Sequence, residues 1–198
     1  MGITAKLKLA VFISGRGSNM VAINEACKSA DFPAEISVVL SNTPDAAGIA
    51  YAQSHGIATE IVDHRKFDSR ESFEAEISAR LKNHDIDLIV LAGFMRILTA
   101  SFVEQFPHNS MINIHPSLLP DYKGLNTHAR AIADGKSEGG CSVHYVIPDL
   151  DSGQVILQKR VPILDGDTAD TLAARVLEQE HIAYPEAIRL IASSRMAE

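Results

Sequence analysis

The chain has 198 residues, 46% of them hydrophobic and 22% charged, with a formal net charge of −7. That is enough apolar material for a sizeable core, and the acid excess argues against nucleic acid or an anionic membrane surface as a partner, both of which draw on basic patches. The two cysteines, Cys27 and Cys141, are far apart and form no CxxC pair, which argues against a disulfide scaffold and for a reducing compartment. The opening stretch lacks a signal-like cleavage region. Lys6 stands where a myristoylation motif has Ser or Thr, and no apolar run reaches the roughly 18 residues of a membrane span. A cytoplasmic protein is the expectation.

In chain order, LKLAVFIS (7–14) reads as a strand, GRGSN breaks it, and MVAINEACKSA reads as a helix. AEISVVLSN (34–42) is a second strand, followed by the small-residue helix DAAGIAYAQSHG, which stops at Gly56. IATEIVD (57–63) is a third strand. Residues 69–84 form a helix in which Phe73, Ile77 and Leu81 recur every four positions. Its start, Ser69 then Ser72, is a partial cap, since a capping box calls for Glu or Gln at the third helical position. DLIVLAG (87–93) is the most strand-like segment, a short helix spans 99–106, and MINI (111–114) is a fifth strand. Alternation of this kind predicts βαβ units and a parallel sheet covered on both faces. From about residue 139 the pattern changes. GGCSVHYVI and GQVILQKRVPI are two strands separated by PDLDSG, which predicts an antiparallel or mixed edge. The segment 167–192 is a long helix that Pro185 interrupts.

Ligands of such sheets sit beyond the carboxyl ends of the strands. The informative residues therefore lie in SGRGSN, SNTPD, DHRKF, GFMRI and NIHPS. In the first, Gly15 and Gly17 turn the chain tightly and Ser18 and Asn19 open a helix whose N-terminus faces anions. The turn reads as a phosphate cradle, with a plain tight turn as the alternative. It is not a dinucleotide fingerprint. The third glycine would fall at Met20, and the second strand ends in Ser41-Asn42, without an acid for a ribose hydroxyl. GKS at 135–137 is not a P-loop, because Arg130 occupies the required earlier glycine. A phosphomonoester is the implied ligand.

Asn113 and His115 close the fifth strand at i, i+2 spacing, on one side of it, before a loop stiffened by Pro116 and Pro120. They either satisfy loop backbone or present an amide donor beside an imidazole, which suits a tetrahedral oxyanion. A third group is then wanted to hold the imidazole, and the PDLDSG turn offers Asp149 and Asp151, each also a plausible turn cap. No Ser or Cys has the GxSxG type of nucleophile setting, and the eight histidines show no HExxH or similar spacing, so no metal centre is expected.

SGRGSN, LAGFMRIL (91–98), NIHPSLLPDYKG (113–124) and DLDSGQVILQ (149–158), in this order, resemble the folate-dependent formyltransferases and, among them, the phosphoribosylglycinamide formyltransferase family. The resemblance runs from about Leu7 to about Ile191. It implies an α/β, Rossmann-like formyltransferase fold with a mostly parallel central sheet, helices on both faces and an antiparallel C-terminal edge. It implies one domain over 1–198, with a phosphate-binding half to about residue 105 and a catalytic and folate half beyond. The activity implied is transfer of the formyl group of 10-formyltetrahydrofolate, a co-substrate, to the amine of 5-phosphoribosylglycinamide in purine synthesis, without a metal. Asn113 is then the amide donor, His115 the acid and oxyanion partner, and Asp151 the counter-charge that keeps His115 protonated. Gly17, Ser18 and Asn19 take the substrate phosphate and ribose. Glu180 lies near the glycinamide end, its alternative being a solvated helix-face charge. Arg70, Met95, Arg96, Ile97, Leu98, Asn113 and the turn Ile147, Pro148, Asp149, Leu150, Asp151 take the folate. Arg70 would pair with its glutamate carboxylate, while Met95, Ile97 and Leu98 would wall the pterin, with ordinary core packing as their alternative. Asn126 stands where many bacterial members have His, so no second catalytic His is assigned there and His128 has no assigned role. Partners are small molecules, and the protein is a monomer or homodimer. Methionyl-tRNA formyltransferase and formyltetrahydrofolate hydrolase share the NxHPSLLP chemistry, and a non-catalytic phosphate-binding module would share the sheet.

Overall fold

A computed structural model describes residues 6–195. Seven strands form one sheet in the order β3-β2-β1-β4-β5-β6-β7. They are β1 (Leu7–Ile13), β2 (Ala34–Ser41), β3 (Ala58–Ile61), β4 (Leu88–Leu91), β5 (Met111–His115), β6 (Glu138–Tyr145) and β7 (Val155–Pro162). The first five are parallel. β6 runs antiparallel to β5 and β7 antiparallel to β6. Strand order reverses between β1 and β4, which places a crevice at their carboxyl ends.

The central strands are apolar throughout because both faces are covered. Leu9, Val11 and Ile13 of β1 pack on one side with Ile112, Ile114, Cys141 and Val143. Ala10 and Phe12 pack on the other with Phe73, Ile77, Leu98 and Phe102. Helices α1 (Ser18–Cys27), α2 (Ala47–Ser54), α3 (Arg70–Leu81), α4 (Ala100–Val103), α5 (Thr127–Ala133) and α6 (Ala169–Arg195) cover these faces and the strand ends. No helix among the described residues is long and apolar enough to cross a membrane.

Three local expectations change. The helix at the C-terminal end is continuous from Ala169 to Arg195 with Pro185 inside it. A mid-helix proline costs about 3 kcal/mol. Here both flanks are held to the core by Val176, Ala183, Tyr184, Ala187 and Ile188, all fully buried. Second, α3 begins with a complete capping box. The Ser69 hydroxyl accepts from the Ser72 N–H at 3.1 Å, and the Ser72 hydroxyl accepts from the Ser69 N–H at 3.3 Å. A serine thus does the work expected of Glu or Gln. Third, α5 is an additional helix, entered through Asn126 in the left-handed region at φ 58°.

Candidate active site

The Gly-rich turn follows β1. Gly17 has φ 70° and caps α1, with its carbonyl accepting from the Val21 N–H at 2.9 Å. The first N–H groups of α1 are left to face the crevice. The turn is braced from β2 and α2: the Thr43 hydroxyl donates to the Ser14 carbonyl (2.9 Å) and the Gly48 N–H to the Gly15 carbonyl (3.1 Å). A Cβ on Gly17 would lie 3.3 Å from the Gly48 Cα and 3.2 Å from the Met20 methyl, in a backbone region that L side chains avoid. The glycine therefore serves helix packing.

Asn19 is buried and its amide donates to Glu180 at 2.7 Å. This joins the turn to α6, which packs beside α1 on the same face of the sheet. Glu180 is 8% exposed, so it is not a solvated helix-face charge. Burial raises its carboxyl above the ordinary range, partly offset by the Asn19 hydrogen bond.

At the end of β5 the expected pair is brought together with one of the two candidate acids. His115 Nδ1 lies 3.4 Å from Asp151 Oδ2, and both side chains are about 5% exposed. Asp149, by contrast, is exposed. Asp151 is held in the left-handed region at φ 48°, and its Oδ2 also accepts the Gly124 N–H at 2.9 Å. The other ring nitrogen, His115 Nε2, sits 2.9 Å from the Tyr122 carbonyl. Each ring nitrogen thus faces an acceptor oxygen.

A further histidine belongs to this cluster and was not singled out from the sequence. In the β5–β6 register Asn113 pairs with His144 and His115 with Ser142. These four side chains share one face of the sheet, opposite the buried Ile112, Ile114, Cys141 and Val143. His144 Nδ1 is 2.9 Å from the Tyr145 carbonyl and so carries the proton, leaving Nε2 to accept from the Asn113 amide at 3.3 Å. Asp151 Oδ1 lies 3.7 Å from the same Nε2. Burial lowers the His144 pKa, which keeps the ring neutral in this accepting role. Asn113 is thereby oriented, with one amide N–H held and the other aimed away. The visible signal was period-2 polarity in GGCSVHYVI, where Ser142 and His144 interrupt an apolar strand.

The expected folate residues divide by exposure. Met95 is 68% and Ile97 57% exposed, so neither is core. Leu98 is 9% exposed and packs in the core with Phe94 and Phe73. Arg96 and Arg70 are exposed, Arg70 at the first turn of α3, and neither has an ion pair among the described residues. In the turn after β6, Pro148, Asp149 and Leu150 are exposed and Ile147 is half-buried. His128 is half-buried, and burial, with a smaller contribution from His115, lowers its pKa. Cys27 and Cys141 are free thiols pushed up by burial to about 11 and about 12, so neither is a nucleophile near neutral pH. Among the described residues no group of three or more His, Cys, Asp or Glu is placed to hold a metal ion.

The family model of formyl transferases matches residues 7–188. A phosphoribosylglycinamide formyltransferase of Escherichia coli is 45% identical over 190 residues, covering 96% of this chain and 89% of that protein. The human trifunctional purine biosynthetic protein adenosine-3 is 43% identical over 188 residues; the match covers 95% of this chain and only 18% of that much longer protein. The solved structure of a phosphoribosylglycinamide formyltransferase from Coxiella burnetii superposes with a TM-score of 0.89 at 48% identity, covering 96% of this chain and 89% of that one.

Proposed function

The chain belongs to the formyl transferase family, among its phosphoribosylglycinamide formyltransferases of purine biosynthesis, and from that membership we propose that it moves the formyl group of 10-formyltetrahydrofolate to the amine of 5-phosphoribosylglycinamide. The observation that carries the reading is the arrangement of Asn113, His115 and Asp151 at the carboxyl end of β5, with the Gly-rich turn after β1 at the carboxyl side of the same sheet. The acceptor phosphate docks on Gly17, Ser18 and Asn19, and Glu180 receives the glycinamide end. The donor's pterin lies between Met95 and Ile97, with Leu98 packed beneath them, and the Ile147–Asp151 turn, and Arg70 meets its glutamate carboxylate. The chain then works as one domain, with the acceptor phosphate on its first half to about residue 105, the catalytic residues on its second, and the folate against both.

The amine lone pair forms a bond to the formyl carbon, and the carbonyl π electrons move to oxygen. The free Asn113 N–H and the His115 N–H stabilise that oxyanion, in a geometry set before the reaction begins. On collapse the carbon–nitrogen bond to the folate breaks and its nitrogen takes a proton from His115, which recovers one from the attacking amine. No net proton is consumed. Asp151 stabilises the charged imidazolium through the cycle. For His115 Nε2 to reach substrate, its contact with the Tyr122 carbonyl must be exchanged for one with the ligand.

The test is mass detection of formylated product from the purified protein, 10-formyltetrahydrofolate and 5-phosphoribosylglycinamide. Product is expected only when both substrates are present. Formate release without acceptor would replace this reading with a hydrolase, and no turnover with either would replace it with a binding module.

A further inference from the structure

The segment between β4 and α4 carries exposed apolar side chains on a backbone fixed from both ends. At its start, the Met95 N–H donates to the Ser14 hydroxyl at 2.7 Å, and that hydroxyl donates onward to Asn42 Oδ1 at 2.5 Å. Asn42 is 2% exposed, so the anchor is buried. At its far end, the Thr99 N–H donates to Glu74 Oε1 at 2.8 Å and the Thr99 hydroxyl donates to Glu74 Oε2. The same hydroxyl accepts from the Phe102 N–H at 3.2 Å and so caps α4. Glu74 is 3% exposed and has no cationic partner among the described residues. A carboxyl buried in this way is costly unless both oxygens are bonded. Here both are, and both to one residue. Below the segment, Phe94 and Leu98 are seated in the core. Above it, Met95 and Ile97 project into solvent.

We propose that Ser14 and Glu74 are positioning residues for the formyl-donor subsite, fixing Met95–Thr99 at its two ends so that Met95 and Ile97 form a preorganised wall. This rests on the reading of that segment as folate-binding. Ser14 immediately precedes the Gly-rich turn. One hydroxyl therefore sets the spacing between the acceptor's phosphate turn and the donor's wall. Glu74 lies one turn beyond Arg70 on α3, so the helix that offers a cation to the donor's carboxylate also holds the wall for its ring. Neither Ser14 nor Glu74 touches the reacting atoms. Their effect is on donor affinity, through a backbone ordered before the ligand arrives.

The experiment uses Ser14→Ala, Glu74→Ala and Glu74→Gln in the full chain, with tetrahydrofolate as the probe. Hydrogen exchange of the peptide covering 94–99 should accelerate in both alanine variants. The tetrahydrofolate Kd should rise about fivefold to tenfold in each, the size of one net hydrogen bond. The kcat at saturating donor should stay within roughly twofold of wild type, since uniform binding alone is lost. Glu74→Gln keeps an acceptor for the Thr99 N–H and should restore most of the affinity. If Glu74→Ala does not fold, Ser14→Ala, at a half-buried site, carries the test. Unchanged exchange would overturn the anchoring, and faster exchange with unchanged Kd would overturn the positioning role. A wild-type protein that does not bind tetrahydrofolate would instead overturn the folate reading, while the exchange comparison still measures the anchors.

Discussion

Asn113→Ala should lower kcat by about 10²–10³, the scale of one lost preorganised oxyanion donor, or about 2.7–4 kcal/mol of transition-state stabilisation. The amide has two N–H groups, of which one is committed to His144 Nε2 and one is free. Alanine removes both, and the free one is the catalytic loss. The backbone of residue 113 stays paired in register with Leu91 on one side and His144 on the other. Stability should therefore fall only by the partner left behind, His144 Nε2, at about 1 kcal/mol. For a chain of this length that is a Tm decrease of about 2–4 °C. The assay is steady-state formyl transfer at saturating donor, with Tm measured on the same preparation. The acceptor KM should change little, since the phosphate is held elsewhere. Activity near wild type would refute the oxyanion argument. So would a loss of activity matched by an equal loss of folded protein, which would make the amide structural.

Gly15→Val should raise the acceptor KM about tenfold, the equivalent of one weakened charge-assisted contact, because a Cβ at Gly15 enters open space without touching the fold; an unchanged KM would remove the phosphate assignment. This is a cleaner probe than Gly17, where a side chain would strain α1 itself. His144→Gln tests the buried neutral histidine. Its pKa is lowered by burial, so its contribution is fully present above the ordinary value of 6.5 and is lost as pH falls from there through the folded-state value. Wild type should accordingly lose Tm more steeply than the glutamine variant on acidification from pH 6.5, and parallel curves would refute the assignment. Glu180 has the opposite sign: its raised pKa means stability is lost as pH rises through the folded value. Glu180→Gln should be relatively more stable than wild type at pH 8 than at pH 4, while the acceptor KM rises; equal pH dependence in thermal melts would contradict this.

The parallel half of the sheet was legible because β1, β2 and β4 are buried on both faces and leave near-continuous apolar runs. Asn113 and His115 were legible because they break such a run at a strand end. His144 was not, because its partner is set by the β5–β6 register, a long-range pairing that no local window contains. The choice between Asp149 and Asp151 was open in sequence for the same reason, and burial decides it. Helix α5 was missed since it has seven residues and, of these, buries only Thr127 and Ala131. Glu180 could have been placed more firmly. It continues the series Leu172, Val176, Glu180, Tyr184 at four-residue steps, which is the buried stripe of α6. An acid in such a stripe faces the core, not water.

Tyr184 has a consequence for how the chain is assembled during synthesis. Its fully buried hydroxyl donates to the Leu91 carbonyl at 2.8 Å, with the Ile112 carbonyl 3.3 Å away, and so bridges the end of β4 and the beginning of β5. A nascent chain that has emerged only as far as Thr168 possesses all seven strands but lacks this bridge and the Glu180 partner of Asn19. Strand β5 and the Gly-rich turn are then each missing a brace, both supplied by α6. Ribosome-stalled chains ending at 168 should be protease-sensitive around 91–99 and 111–117, and chains extended through Arg195 should be resistant. Protection at both lengths would show that the sheet closes without its last helix.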